Sequence, residues 1–392
     1  MLATELAESA QGIAQRQVGA VQILDEFGYD TRMEEHLKNR IVRLRKSLQD
    51  QEEQIANLLV TALPNIRYLT GFTGSSAALL VSPEDCVVIS DGRYTQQLTI
   101  QCPGLDAVIR PMGETMTQSI TETMQNRFTG DFLFEQSTVG HKQWMDLTEA
   151  FDGKLIGSTN IVEDLRAIKD QVEIELIRKS VAINQTVFQE VCQWIDSGTT
   201  ERDVAAEIEY RGRKHGADGC SFEPIVAVGA NSALAHYRPG SVKLNSSPFT
   251  LIDWGLNYQG YASDLTRNLI NGSVPEQYQE IYNITLRAQQ AAIEAIKPGM
   301  EIRDLDTVAR DVITDAGYGP QFSHSLGHGI GLEIHEGPGV SPRSTGVLKK
   351  GMVITIEPGI YIAGLGGVRI EDDVWVTASG AEVISNLPKG FK

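Results

Sequence analysis

The sequence predicts a protein of mixed α/β class, a small α/β domain followed by a larger α+β domain. Three observations carry this expectation. The chain has 392 residues, too many for one ordinary hydrophobic core. Up to about residue 160, short apolar runs bounded by turn residues alternate with helical segments, the pattern of a small α/β domain. Beyond that point helical segments give way to strand-rich stretches, and the sequence does this twice.

The elements follow in order. Residues 1–32 read as an amphipathic helical extension, with Leu2, Leu6, Ile13 and Val21 at loosely helical spacing. Met33 precedes a charged helical run, EEHLKNRIVRLRKSLQDQ, and opens the first domain over residues 33–162. IANLLVTA, AALLVSP, CVVISD and DFLFEQ read as strands, and TMTQSITETMQNRF, after the segment DAVIRPM, as a helix. The second domain, residues 163–392, starts with one long amphipathic helical region, EDLRAIKDQVEIELIRKSVAINQTVFQEVCQWI. EIYNITLRAQQAAIEAI and RDLDTVARDVITDAG are two further helices, the second with Gly317 as its C-terminal cap. The order of helix and then strands, met twice, admits an internal duplication.

Composition excludes several classes of function. The chain carries 34 basic and 51 acidic residues, a net charge of −17. A phosphate-binding or anionic membrane surface needs the opposite sign, so neither nucleic acid nor membrane is an expected partner. The sequence has no apolar stretch of about 18 residues to span a bilayer, and its N-terminus lacks a basic segment followed by an apolar run. Cys86, Cys102, Cys192 and Cys220 form no CxxC pair and read as free thiols of a reducing compartment, which places the protein in the cytoplasm.

The chemistry concentrates near the C-terminal end. Asp253, Asp264, His328, Glu357 and Glu371 lie in the motifs IDWG, SDLTRN, SLGHGIG, TIEPGIY and VRIEDD. Four carboxylates and one imidazole are the ligands of a site for two divalent cations. FTLIDWGLNYQGYASDLTRNLI reads as a hairpin whose turn centres between Tyr258 and Gln259. Asp253 and Asp264 are equidistant from that centre and would face each other, Cβ atoms about 5 Å apart. Like charges so placed repel, and a dication between them reverses the sign. Glu357 and Glu371 flank a second bend, rich in glycine at Gly364, Gly366 and Gly367. Carboxylates suit hard cations, and a single imidazole admits Mn, Co, Fe or Zn, with the balance toward manganese. Two such ions about 3.5–4 Å apart would share a water, lower its pKa and polarise a scissile carbonyl, so no serine or cysteine nucleophile is required.

These motifs resemble the pita-bread metallopeptidases, the group of Xaa-Pro dipeptidase (prolidase), Xaa-Pro aminopeptidase, methionine aminopeptidase and creatinase. The resemblance runs from about Glu163 to the C-terminus, through LRAIKDQVEIELIR, SFEPIVAVGANSALAHYRPG, SHSLGHGIGLEIHEGP, MVITIEPGIY and GGVRIEDDVWVT. NIRYLTGFTGSSAALLV and DGRYTQQ resemble the N-terminal domain of the proline-specific members. The resemblance implies a C-terminal pita-bread catalytic domain in which Asp253, Asp264, His328, Glu357 and Glu371 hold two metals. Asp264 and Glu371 would bridge the ions, and Glu357 would also handle the attacking water's proton. It places His236 near the leaving nitrogen and His335 on the substrate carbonyl, where it would stabilise the oxyanion. His324 would line the pocket, Arg369 would orient ligands, and Phe222 would face the proline ring. His36, His141 and His215 lie outside this constellation and read as surface or structural.

The implied activity is metal-dependent removal of an N-terminal residue from a following proline, in dipeptides or short peptides, by a homodimer in which one chain's N-terminal domain walls the other's site. HYRPG and the large N-terminal domain set the chain apart from methionine aminopeptidase. A creatinase-like metal-free hydrolase and a non-catalytic peptide-binding module are the alternatives on this fold. Both generally lose the ligands that stand intact here.

Overall fold

The computed structural model describes residues 31–50 and 55–389. The expected extension up to Asp30 lies outside the described residues. The chain divides into two compact units between Leu165 and Arg166.

In the first unit a six-stranded mixed sheet runs in the order Asp106–Arg110, Cys86–Asp91, Ala78–Val81, Asn57–Val60, Phe132–Glu135, Leu155–Ser158. The strands expected from apolar runs are all present, and DAVIRPM supplies a further one. Helix Thr31–Gln49 begins two residues ahead of Met33 and buries Leu37, Leu44 and Leu48, one stripe of its surface.

The helical region read as continuous, which spans the boundary between the units, is broken. Helix Ile161–Arg166 stops, and Gln171–Trp194 restarts at Asp170, whose side chain accepts from Glu173 N in a capping box. A second helix, Glu201–Lys214, follows it and was not expected. Its start is marked by the Thr200–Asp203 capping box. Two helices and then strands is therefore the repeated order. In the first round Phe249–Trp254 lies between Ile225–Val228 and Leu265–Ile270; in the second, Val353–Ile356 lies between Gly327–Gly329 and Asp372–Val376. In each round a hairpin rises between the second and third of these strands: Leu256–Tyr258 with Tyr261–Ala262, and Gly359–Ile362 with Gly366–Arg369. Helices Glu276–Ala295 and Ile302–Asp315 pack through Ile281, Ala288, Leu305 and Ile313 onto Ile354, Ile356 and Val374 of the second sheet. Gly317, with φ of 89°, follows Ala316 and closes helix Ile302–Asp315 with a bond from its N–H to Thr314 O.

The first hairpin differs in register from the expectation. Gln259 and Gly260 occupy the turn with φ of 46° and 76°, both in the left-handed region that a two-residue type I′ turn demands. Glycine takes this conformation at least cost, so the turn centres there and not one residue earlier. Asp253 consequently pairs with Thr266, and Asp264 is its diagonal neighbour. The ladder also breaks at Gly255, where a Cβ would lie 2.1 Å from the Ser263 carbonyl oxygen. Freed from the ladder, Asp264 N donates to Asp373 Oδ2 of the second half at 3.0 Å. In the second hairpin Ile356 pairs with Asp372 and Gly359 with Arg369, which leaves Glu357 opposite Glu371.

Arg267 pins the halves together. It is fully buried, and its Nη2 donates to Asp372 Oδ1 at 2.7 Å and to Leu387 O at 3.0 Å, while Nη1 donates to the Glu371 carbonyl. Asp372 also accepts from Gln289 and Ser385. Removing one partner strands the other charge without water. Asp372→Ala is therefore expected to cost about 3–5 kcal/mol, measured by urea unfolding. A loss under about 1 kcal/mol, the range of surface pairs, would contradict the pin.

Candidate metal centre

The four acidic side chains reach the centre from equivalent places in the two rounds of the fold. Asp253 lies near the end of the first middle strand, and Glu357 directly follows the second. Asp264 and Glu371 each stand immediately before a third strand. His328 comes from the short strand Gly327–Gly329. Glycine flanks it because a Cβ at Gly327 would meet Thr355 O at 2.0 Å. All five line one cavity of about 520 Å³, together with Phe222, His236, His324, His335 and Arg369. His36, His141 and His215 do not line it.

Three observations test whether these residues fit a divalent cation. Asp264, His328 and Glu371 each offer a ligand atom within 4.8 Å of the others. His328 Nδ1 lies 3.0 Å from Gly329 O, an acceptor, so Nδ1 carries the proton and Nε2 presents its lone pair. That lone pair faces Glu357 Oε1 at 3.4 Å and Asp264 Oδ2 at 3.6 Å, three electron-rich atoms converging on one point. Finally, Asp253 Oδ1, Asp264 Oδ1 and Glu371 Oε1 are buried without a hydrogen-bond partner. Buried carboxylate oxygens left so are costly. The residues fit a cation site.

One oxygen of three of the acids is held by a neighbour. Thr266 Oγ1 donates to Glu371 Oε2 at 2.6 Å, and Thr355 Oγ1 to Glu357 Oε1 at 3.1 Å. Arg369 Nη2 donates to Asp253 Oδ2, and Nη1 to Tyr361 OH at 2.7 Å. Tyr361 OH lies 2.9 Å from His324 Nε2, whose Nδ1 is 2.8 Å from Ser325 O. The tyrosine thus donates to a neutral His324. His335 is exposed, its ring edge-on to His328 at 4.4 Å, and His236 is exposed on the opposite loop. Thr266, Thr355, Asp373 and Tyr361 were not read from the sequence. Thr266 and Asp373 lie two residues after an acid, Thr355 two residues before one and Tyr361 four after. A strand's period of two would have found them. No cysteine lines the cavity; burial pushes the Cys102 and Cys220 thiols up to about 11.

Residues 175–378 match the model of "Metallopeptidase family M24", and residues 40–168 that of the "Creatinase/Prolidase N-terminal domain". The chain belongs to metallopeptidase family M24. It is 36% identical to the Xaa-Pro dipeptidase of Pyrococcus furiosus over 361 residues, 90% of this chain and 99% of that protein. Among solved structures, the Xaa-Pro dipeptidase from Bacillus anthracis aligns with a TM-score of 0.86 at 38% identity, covering 91% of this chain and 99% of that one. An X-Pro aminopeptidase from Thermotoga maritima aligns at 0.80 and 36%, covering 86% and 97%. The M24 unit adopts the pita-bread fold of these relatives.

Crowding sets the protonation of this M24 centre. Burial, then mutual repulsion, raises Asp264 and Glu371 well above the usual carboxylate range. Burial pushes Glu357 up to about 7, with Asp253 adding and Arg369 opposing. Burial lowers His324 and His328 to about 4. A carboxylate whose pKa is raised by folding stabilises the fold below its unfolded value and loses that contribution as pH rises through the folded value. The two histidines act oppositely, but only below about 6.5, since above it they are neutral folded or unfolded. The chelated protein is therefore expected to lose thermal stability as pH rises from 6.5 to 8, and manganese to remove this dependence. Calorimetry of both forms checks it, and a chelated protein that gains stability over that range would contradict it.

Proposed function

We propose that this cavity hydrolyses the bond between an N-terminal residue and a following proline, with Asp253, Asp264, His328, Glu357 and Glu371 holding two divalent cations. The observation that carries this is the set of unsatisfied buried carboxylate oxygens on Asp253, Asp264 and Glu371, in the cavity that His328 also lines, in a chain of the M24 family. Four acids against the single guanidinium of Arg369 leave three formal negative charges, which one dication does not balance. When bound, the cations make a water nucleophilic at neutral pH and polarise the scissile carbonyl.

The chain's own groups do the rest. Glu357 takes a proton from the attacking water and returns it. Its carboxylate is aimed by Thr355. His335, at the cavity edge beside His328, donates to the oxygen that gains charge in the tetrahedral state. His236 meets the leaving nitrogen. Like any amide nitrogen, it leaves only once protonated; a prolyl nitrogen carries no N–H to donate, and the wall around its ring is best apolar, as Phe222 and Ile225 are. Arg369, Tyr361 and His324 keep Asp253 oriented. The cavity volume lies in the range of small-molecule sites and suits a dipeptide or short peptide. Nothing favours the metal-free alternatives.

Manganese, homodimeric assembly and a cytoplasmic location complete this proposal. The oxygen-rich donor set supports a hard cation, the creatinase/prolidase N-terminal unit supports the dimer, and four free cysteines support a reducing compartment. No helix among the described residues is long and apolar enough to cross a membrane.

Xaa-Pro dipeptides and Xaa-Pro-Yaa tripeptides assayed with added manganese test the activity. Chelation is expected to abolish it, and manganese or cobalt to restore it. Cleavage of non-prolyl dipeptides at equal rates would contradict the specificity. His236→Ala is expected to lower kcat/KM by about 10²-fold, and Glu357→Ala to lower it further. An unchanged value in either variant removes that residue from the chemistry.

A further inference from the structure

The loop that carries His236 is held from behind by a buried acid with no part in the chemistry above. Glu201, the first residue of helix Glu201–Lys214, is fully buried. Its Oε1 accepts from Val228 N and Asn231 Nδ2, both at 2.9 Å. Its Oε2 accepts from Tyr237 OH and Gly240 N, again at 2.9 Å. Every partner is a neutral donor, and every donor belongs to residues 228–240. One carboxylate therefore ties the start, the middle and the end of a single segment.

That segment has little of its own to hold it. After the strand Ile225–Val228 it contains one short 3₁₀ turn, Gly229–Ala233, and then no regular element as far as Gly240. Loops without ladder hydrogen bonds are the mobile parts of a fold. On its cavity side Gly367 N donates to Ser232 Oγ at 2.7 Å and Arg369 Nη1 to Ala235 O at 3.4 Å, and the exposed Arg238 pairs with Glu223 at 3.7 Å. Tyr237 reaches back to Glu201, while His236 lines the cavity. Burying an acid with no cation beside it is costly. Four donors and the positive end of helix Glu201–Lys214 offset that cost. An apolar residue would fill the space, but it would leave Val228 N and Gly240 N without an acceptor. Glutamine keeps the shape, yet turns an amide donor toward two donors.

We propose that Glu201 is the positioning residue for His236. It sets where the imidazole stands against the leaving nitrogen, and it touches neither substrate nor cation. This rests on the role given to His236 above. A displacement of about 1 Å at a reacting group costs up to about 10²-fold in rate, so the dependence is measurable.

The test is a double-mutant cycle on the full-length, manganese-loaded protein with an Xaa-Pro dipeptide. Glu201→Gln is expected to lower kcat/KM by about 10- to 100-fold, mainly through kcat, with metal content equal to that of the wild type. Placed in a His236→Ala background it is expected to change kcat/KM by less than about twofold, since no imidazole remains to be placed. Wild-type kinetics in Glu201→Gln, or an equal loss on both backgrounds, would overturn the proposal. Should Glu201→Gln not fold, Tyr237→Phe removes one donor alone. A smaller loss that disappears with His236→Ala is then expected, and no loss would overturn the proposal. If the wild type itself leaves Xaa-Pro peptides intact, the functional reading fails first and the positioning role falls with it.

Discussion

Like charge forced together in a dry place is the constraint on which the second unit depends. Asp253, Asp264 and Glu371 are buried, Glu357 is mostly so, and among the described residues Arg369 is the one cation tied into the group. Left alone, such a cluster holds protons it would lose in water, as the raised Asp264, Glu357 and Glu371 show. Divalent cations convert the same arrangement from repulsive to attractive. The surrounding bonds anticipate this. Thr266, Thr355 and Arg369 satisfy one oxygen each of Glu371, Glu357 and Asp253, and three buried oxygens, on Asp253, Asp264 and Glu371, are left with no partner.

The repeat in the fold explains how four acids arrive at one point. Each round contributes one acid at the end of its middle strand and one before its third strand. Both pairs flank a hairpin that interrupts the ladder. Arg267 then locks the rounds together by reaching from the first into Asp372 and the Glu371 carbonyl of the second. The pin adjoins Glu371, so the contact that joins the halves also sets one acid of the cluster. The groups proposed to act on substrate stand outside these strands: His335 and His236 are exposed on loops, and each has its own anchor. For His335 that anchor is the next residue, Glu336, paired with the buried Lys169 at 2.6 Å and with Arg166.

Ten of the residues that line the cavity were legible because each sits in a compact motif of glycine, proline and charge, where few core explanations compete. The mixed α/β class was legible from periodicity. Register was not. Moving the turn to Gln259-Gly260 shifted the partner of Asp253 from Asp264 to Thr266, and only the backbone preference at Gly260 signals that. Helix Glu201–Lys214 escaped notice because charged residues interrupt its apolar stripe of Val204 and Ile208. Glu201 escaped for a different reason. Its partners lie 27 to 39 positions away along the chain, and no local pattern reports a contact of that range. Thr266, Thr355 and Asp373 were visible in principle, at two-residue spacing from acids already singled out.

The central claim is that the acids exist to hold metal, and metal stoichiometry tests it most directly. Full-length protein is stripped with chelator, dialysed to equilibrium against manganese and analysed by inductively coupled plasma mass spectrometry, beside the Asp264→Asn/Glu371→Gln variant. Two equivalents per chain in the wild type, and loss of both in the variant, are predicted. A wild type that retains none, or a variant that binds as much as the wild type, would contradict the account.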